Sequence, residues 1–157
     1  HILLLNCNLI NDDDLKNLDD LKKLKLKNPE IFIMAPHPNH GLFVSLGLKK
    51  LEKFKFLFDG VEHSWYYTDF FNPNLKVKKV ADRLSLSFIA TSDLHDLRYL
   101  GSDYIEVEVA DLNIKSLFGA LRQGNFRNVS QPKKITELFF YNLFQIWKLF
   151  RYKLKMK

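Results

Sequence analysis

The chain has 157 residues, 46% apolar and 14% aromatic, with few glycines and prolines, so it is long enough for one domain with a real core and is not a low-complexity chain. A single cysteine, Cys7, excludes an internal disulfide, and with no signal-peptide pattern a reducing, cytoplasmic compartment is the expectation. Residues 133–157 hold seven Lys/Arg against one acid, Glu137, so they carry the whole net charge of +6; the neutral body has no broad basic field to attract nucleic acid.

In chain order, His1–Leu5 is a continuous apolar run without alternation and predicts a buried strand of a parallel sheet. Asn11–Asp14 predict a helix start, where carboxylates favour the dipole, and Leu15, Leu18, Leu21, Leu24 and Leu26 follow at roughly helical spacing. Asn28-Pro29 ends that helix, and Ile31–Ala35 is the second strand. A helix is predicted over Leu42–Phe54 and a third strand over Phe56–Glu62, followed by the aromatic run Trp65-Tyr66-Tyr67. Pro73 opens a helix at its first turn, continuing to Leu84. Ser87–Ala90 is the fourth strand, and Tyr104–Val109 an alternating fifth. Asn113 caps a helix over Ile114–Arg122, with Gly124 as its stop. Strands alternating with helices predict an α/β fold, a parallel sheet wrapped by helices.

Candidate chemistry collects where strands end. Asp93 and His95 stand two apart after the fourth strand, so in an extended segment both side chains project the same way. His37, between Pro36 and Pro38, stands just past the second strand. Carboxylate oxygen and imidazole nitrogen suit a divalent ion such as Zn, Mn or Fe. A single Asp-x-His is more often an Asx turn with a surface His; a second His just past another strand end, His37, favours a site. Glu62 and His63 also fall near a predicted strand end, and His40 reads as a solvated loop residue. Ser92 is a turn former, with no general base spaced to activate it.

Ala35-Pro36-His37-Pro38, Phe58-Asp59-Gly60-Val61-Glu62 and Thr91-Ser92-Asp93-Leu94-His95 resemble the later motifs of the PHP (polymerase and histidinol phosphatase) family. Leu100–Glu108 and Ile114–Gly124 are similar to the end of that domain. The resemblance covers residues 1–128 and implies part of a distorted (β/α)7 TIM-like barrel that binds up to three metals and hydrolyses phosphoesters. It implies metal ligation by His37, Asp93 and His95, and by His1, which matches a family His at a strand start or else has no role. Glu62 then supports the barrel, and a metal role for His63 has little behind it. Arg98 either holds a substrate phosphate or pairs with Asp96 or Asp103. The family's opening His-x-His and following Glu do not occur here, so the expectation is the C-terminal portion of such a domain, its site completed by an absent N-terminal segment. The implied substrate is a phosphorylated small molecule or nucleotide. The competing expectation is a degenerate half-domain that binds without catalysing.

Residues 129–157 lie beyond that family pattern. Ile135–Tyr152 predicts an amphipathic helix with one broad apolar face, interrupted by Asn142, Gln145 and Lys148 and too short to span a membrane. It is expected to pack on the barrel, to lie on an anionic membrane surface, or to bind a partner.

Overall fold

The computed structural model describes residues 1–7, 15–39, 45–94 and 97–155, with backbone alone for 98, 149, 150 and 152–155. Its elements are β1 (Leu3–Leu5), α1 (Leu18–Lys27), β2 (Phe32–Ala35), α2 (Leu48–Lys53), β3 (Gly60–Ser64), α3 (Asn74–Leu84), β4 (Ser87–Thr91), β5 (Tyr104–Val107), α4 (Ile114–Gln123), β6 (Phe126–Val129) and α5 (Ile135–Lys155). Strands β1 to β4 form one sheet in sequence order, and β5 and β6 form a second, two-stranded sheet. The fold is mixed α/β with a parallel-rich sheet. Among the described residues the strands do not close into a barrel.

The apolar run that predicted β2 is buried at all four positions because it has a core on each face. Ile31, Ile33 and Ala35 pack with Val61 against Leu21 of α1, Leu51 of α2, and Val77, Val80 and Ala81 of α3. Phe32 and Met34 face the other way and meet Ile89 with Phe118 and Leu121 of α4. Period-two alternation along the strand thus serves two layers of helices. Gly60 begins β3 where space runs out: an added Cβ would stand 3.1 Å from the Ser87 carbonyl oxygen and 3.0 Å from Ile89 Cδ1.

The parallel expectation for the first strand is corrected. β2, β3 and β4 are parallel, but β1 runs antiparallel to β2, Leu3 opposite Met34 and Leu5 opposite Phe32. It is a three-residue edge strand with Leu3 and Leu5 exposed, so its apolar run does not report burial on both faces. The third strand is displaced: Lys55–Leu57 form a 3₁₀ turn, and β3 spans Gly60–Ser64, which places Glu62 and His63 inside the strand. β5 leaves the parallel pattern and pairs antiparallel with β6, a strand the sequence did not predict. Asn128 joins the two sheets. Its side-chain amide donates to the Phe88 carbonyl at 2.8 Å and accepts from the Ala90 N–H at 2.7 Å, completing the open edge of β4 as a neighbouring strand would.

Helix boundaries follow their caps. Asn17 accepts hydrogen bonds from the Asp19 and Asp20 N–H groups and starts α1, and Asn113 accepts from the Ser116 N–H and starts α4. The expected start at Asn11–Asp14 lies outside the described residues. Gly124 ends α4 in the left-handed conformation, as expected. α2 is shorter than predicted, because Gly47 precedes it and residues 40–44 lie outside the described set. α5 docks through its first turns: Leu138 and Tyr141 are buried with Trp65 and Tyr99, and Asn142 donates to the Tyr66 hydroxyl at 2.5 Å. Among the described residues no helix is long and apolar enough to cross a membrane.

Candidate functional site

Parallel strands share one C-terminal edge, so the turns after β2, β3 and β4 lie side by side. The reversal of β1 adds its N-terminus to that edge. With Leu3 opposite Met34, the chain before β1 runs beside the turn after β2, and the His1 and His37 rings meet edge to face at 5.6 Å. A parallel β1 would have carried His1 to the far end of the sheet.

Glu62 of β3 binds these turns together. It is 1% exposed. It accepts hydrogen bonds from the backbone N–H of His37, after β2, and from the hydroxyl of Thr91, the last residue of β4. Burial is the largest influence on its acidity and pushes its pKa from 4.5 to about 7; the nearby Asp93 carboxylate raises it further, while the two hydrogen bonds oppose the rise. Among the described residues no Lys or Arg forms an ion pair with it.

The turns themselves are held in costly backbone. His37 has φ +28° and Asp93 φ +41°, both in the left-handed region that non-glycine residues avoid. Such conformations cost about 1–3 kcal/mol each and persist only where surrounding contacts determine them, which is frequent at functional sites. At His37 one such contact is the hydrogen bond to Glu62. The approach to the edge is also fixed: Asn74, first residue of α3, exchanges two hydrogen bonds with Ser64 at the end of β3, at 2.9 and 2.8 Å.

His1, His37, Glu62 and Asp93 therefore share this edge. Two imidazoles and a carboxylate beside a second carboxylate that no described Lys or Arg pairs with make a donor set whose chemistry fits a divalent ion such as Zn, Mn or Fe. Among the described residues no group of three or more His, Cys, Asp or Glu is close enough to hold an ion. His95, Asp96 and His40 lie outside the described residues, as does the side chain of Arg98, whose backbone forms part of the 3₁₀ turn Leu97–Tyr99. Asp103 is taken by Lys133, at 2.7 Å in a buried pair.

His63 points away from this edge group, as its neighbour in a strand must. Its ring stands edge to face with Tyr67 at 5.2 Å and Phe88 at 5.0 Å, and its buried Nδ1 has no hydrogen-bond partner among the described residues. Burial holds its pKa below 6.5, with Asp103 raising and Lys133 lowering it. The sequence reading missed the part Thr91 plays and that Glu62 links two turns. The available signal was a carboxylate inside an otherwise uncharged strand, rarely fully buried without a specific partner.

No curated protein matches the chain. Residues 71–126, from the approach to α3 through β4, β5 and α4, match the family model described as PHP-associated. That stretch includes Thr91 and Asp93 and leaves out His37 and Glu62. Residues 71–126 are thus similar to a PHP-associated segment.

Proposed function

We propose that this chain supplies the C-terminal portion of a metal-dependent phosphoesterase of the PHP type. In this reading β1–β4 are an arc of a distorted (β/α)7 barrel, and its C-terminal edge is the active-site face. The observation that carries it is the convergence of His1, His37 and Asp93 around buried Glu62 on one strand edge.

His37, Asp93, His95 and His1 are the residues that would hold the metal. A bound ion would supply a water acidic enough to attack phosphorus and charge to stabilise the developing oxyanions. Glu62 fixes the turns that present His37 and Asp93, and adds a carboxylate whose charge no Lys or Arg among the described residues neutralises. Arg98 would orient a substrate phosphate through two parallel hydrogen bonds. The substrate class is a phosphorylated small molecule or nucleotide, and a preceding segment would complete the ligand set.

Metal content by mass spectrometry of the purified chain tests this, beside His37→Ala and Asp93→Ala. Weak binding of Zn, Mn or Fe that is lost in both variants is expected, with the folded fraction unchanged by circular dichroism. Metal binding that is the same in the wild type and both folded variants would refute a site on this edge.

A further inference from the structure

α5 has two apolar faces and only one of them is covered. Leu138 and Tyr141 are buried against Trp65 and Tyr99, and Asn142 fixes the rotation of the helix through Tyr66. Ile135, Phe139, Phe140, Leu143, Ile146 and Trp147 are all exposed, Phe140 by 67% and Trp147 by 51%. At 3.6 residues per turn these six fall within an arc of about 140°, one continuous stripe. Single exposed apolar residues are ordinary on a surface; a stripe of six, three of them aromatic, marks a binding face.

Charge identifies the occupant. All of the net +6 falls within residues 133–157, and the body is neutral. Arg151 borders the stripe, its guanidinium 4.8 Å from the Trp147 ring centre, while Lys148 lies farther round the helix with its Nζ 4.6 Å from the Phe144 ring centre. Glu137, the one acid of this segment, lies on the far side of the helix from the stripe's centre. An aromatic and aliphatic face bordered by Arg151, on a helix of net positive charge that is not long and apolar enough to cross a bilayer, matches the geometry of a helix lying in a lipid interface. We infer that the exposed stripe of α5 docks the protein on an anionic bilayer surface, with Arg151 meeting lipid phosphate or carboxylate groups.

The full chain is mixed with phosphatidylcholine vesicles and with vesicles that also contain phosphatidylserine. Sedimentation and tryptophan emission are then read. Of the two tryptophans Trp65 is buried already, so a blue shift on binding reports Trp147. Binding and the shift are expected with the anionic vesicles alone. Both should be lost at ~1 M salt, where the Debye length is about 3 Å. Arg151→Gln should weaken partitioning about fivefold. Phe139→Ser should abolish the shift. The wild-type salt titration stands even if a variant folds poorly. No binding to anionic vesicles, or equal binding to neutral ones, overturns the inference. So does a concentration-dependent dimer, by ultracentrifugation, that buries Trp147 without lipid, because the stripe then belongs to a second copy.

Discussion

Two carboxylates stand before and within the same strand, three residues apart, and they are treated in opposite ways. Asp59 precedes β3, at the N-terminal edge of the sheet. It accepts from the Ile33 N–H at 2.8 Å, from Lys25 at 3.2 Å and from Arg122 at 3.0 Å, while Arg122 also donates to the Ile31 carbonyl. Its charge is balanced by α1 on one face of the sheet and α4 on the other. Glu62, three residues on, is more deeply buried, has no cation among the described residues, and has another carboxylate for a neighbour. Compensated charge at the N-terminal edge stabilises the fold. Uncompensated charge at the C-terminal edge costs stability, and it is rational there if a cation or a proton is meant to complete the site.

The largest effect should come from breaking the compensated end. Asp59→Ala leaves Lys25 and Arg122 without their carboxylate and the Ile33 N–H without its acceptor. Both cations are partly exposed and regain water, so the expected loss is about 3 kcal/mol, at the low end for a disrupted buried pair. Urea denaturation measures it, and the remaining folded protein should keep its metal content. A loss below about 1 kcal/mol would mean that this network does not hold the N-terminal edge.

Glu62→Gln tests the other end and should act the opposite way. A Gln can accept from the His37 N–H and donate to Thr91, so both turns stay held while the charge is gone. With a chelator present, the variant should be as stable as the wild type at about pH 8 or better, by up to about 1 kcal/mol. The folded pKa of Glu62, about 7, lies above its ordinary 4.5, so the wild type is favoured when that carboxyl is protonated. Its stability relative to the variant should therefore rise as pH falls from about 7 to about 4.5, and be lowest above about 7. Without chelator, ion retention should fall in the variant. A variant less stable at about pH 8 that keeps its metal would assign Glu62 to the scaffold alone.

The smallest effect concerns His63, on the opposite side of β3. Its folded pKa is below 6.5, so the neutral ring is the one the fold accepts, and stability is lost as pH falls through 6.5 toward the lowered value. His63→Phe keeps ring packing against Tyr67 and Phe88 and removes the titration. The denaturation midpoint should then change less between about pH 7.5 and about pH 5.5, by about 1 kcal/mol or less. An unchanged pH dependence would show that the ring titrates freely in the folded chain.

Much of the order of elements was legible locally. The helix caps at Asn113 and Gly124, the strand after Asn28-Pro29 and the strand that begins at Ser87 all rest on residue types and interactions within a few residues, which sequence records directly. The candidate ligands His37 and Asp93 were legible for the same reason, as punctuation after apolar runs. Strand direction was not. A run such as Leu3-Leu4-Leu5 reads alike in either sense, and only its pairing with Met34, Ile33 and Phe32 makes it antiparallel and brings His1 to His37. The β5–β6 pairing was hidden because Phe126–Val129, Phe-Arg-Asn-Val, keeps its two middle residues exposed and has only a short apolar signal.

The sequence by itself determined the helix caps at Asn113 and Gly124, the strand over Ile31–Ala35, the kinds of candidate ligand side chain and the placing of all net charge in residues 133–157, because each depends on residue type and close spacing. Tertiary structure alone decided that Glu62 would join the turns after β2 and β4, that no Lys or Arg among the described residues would pair with it while Asp59 is shared by Lys25 and Arg122, and which face of α5 would be left uncovered. Those outcomes are set by which distant groups fold against a side chain, and burial and partner choice are properties of the packed chain rather than of any segment.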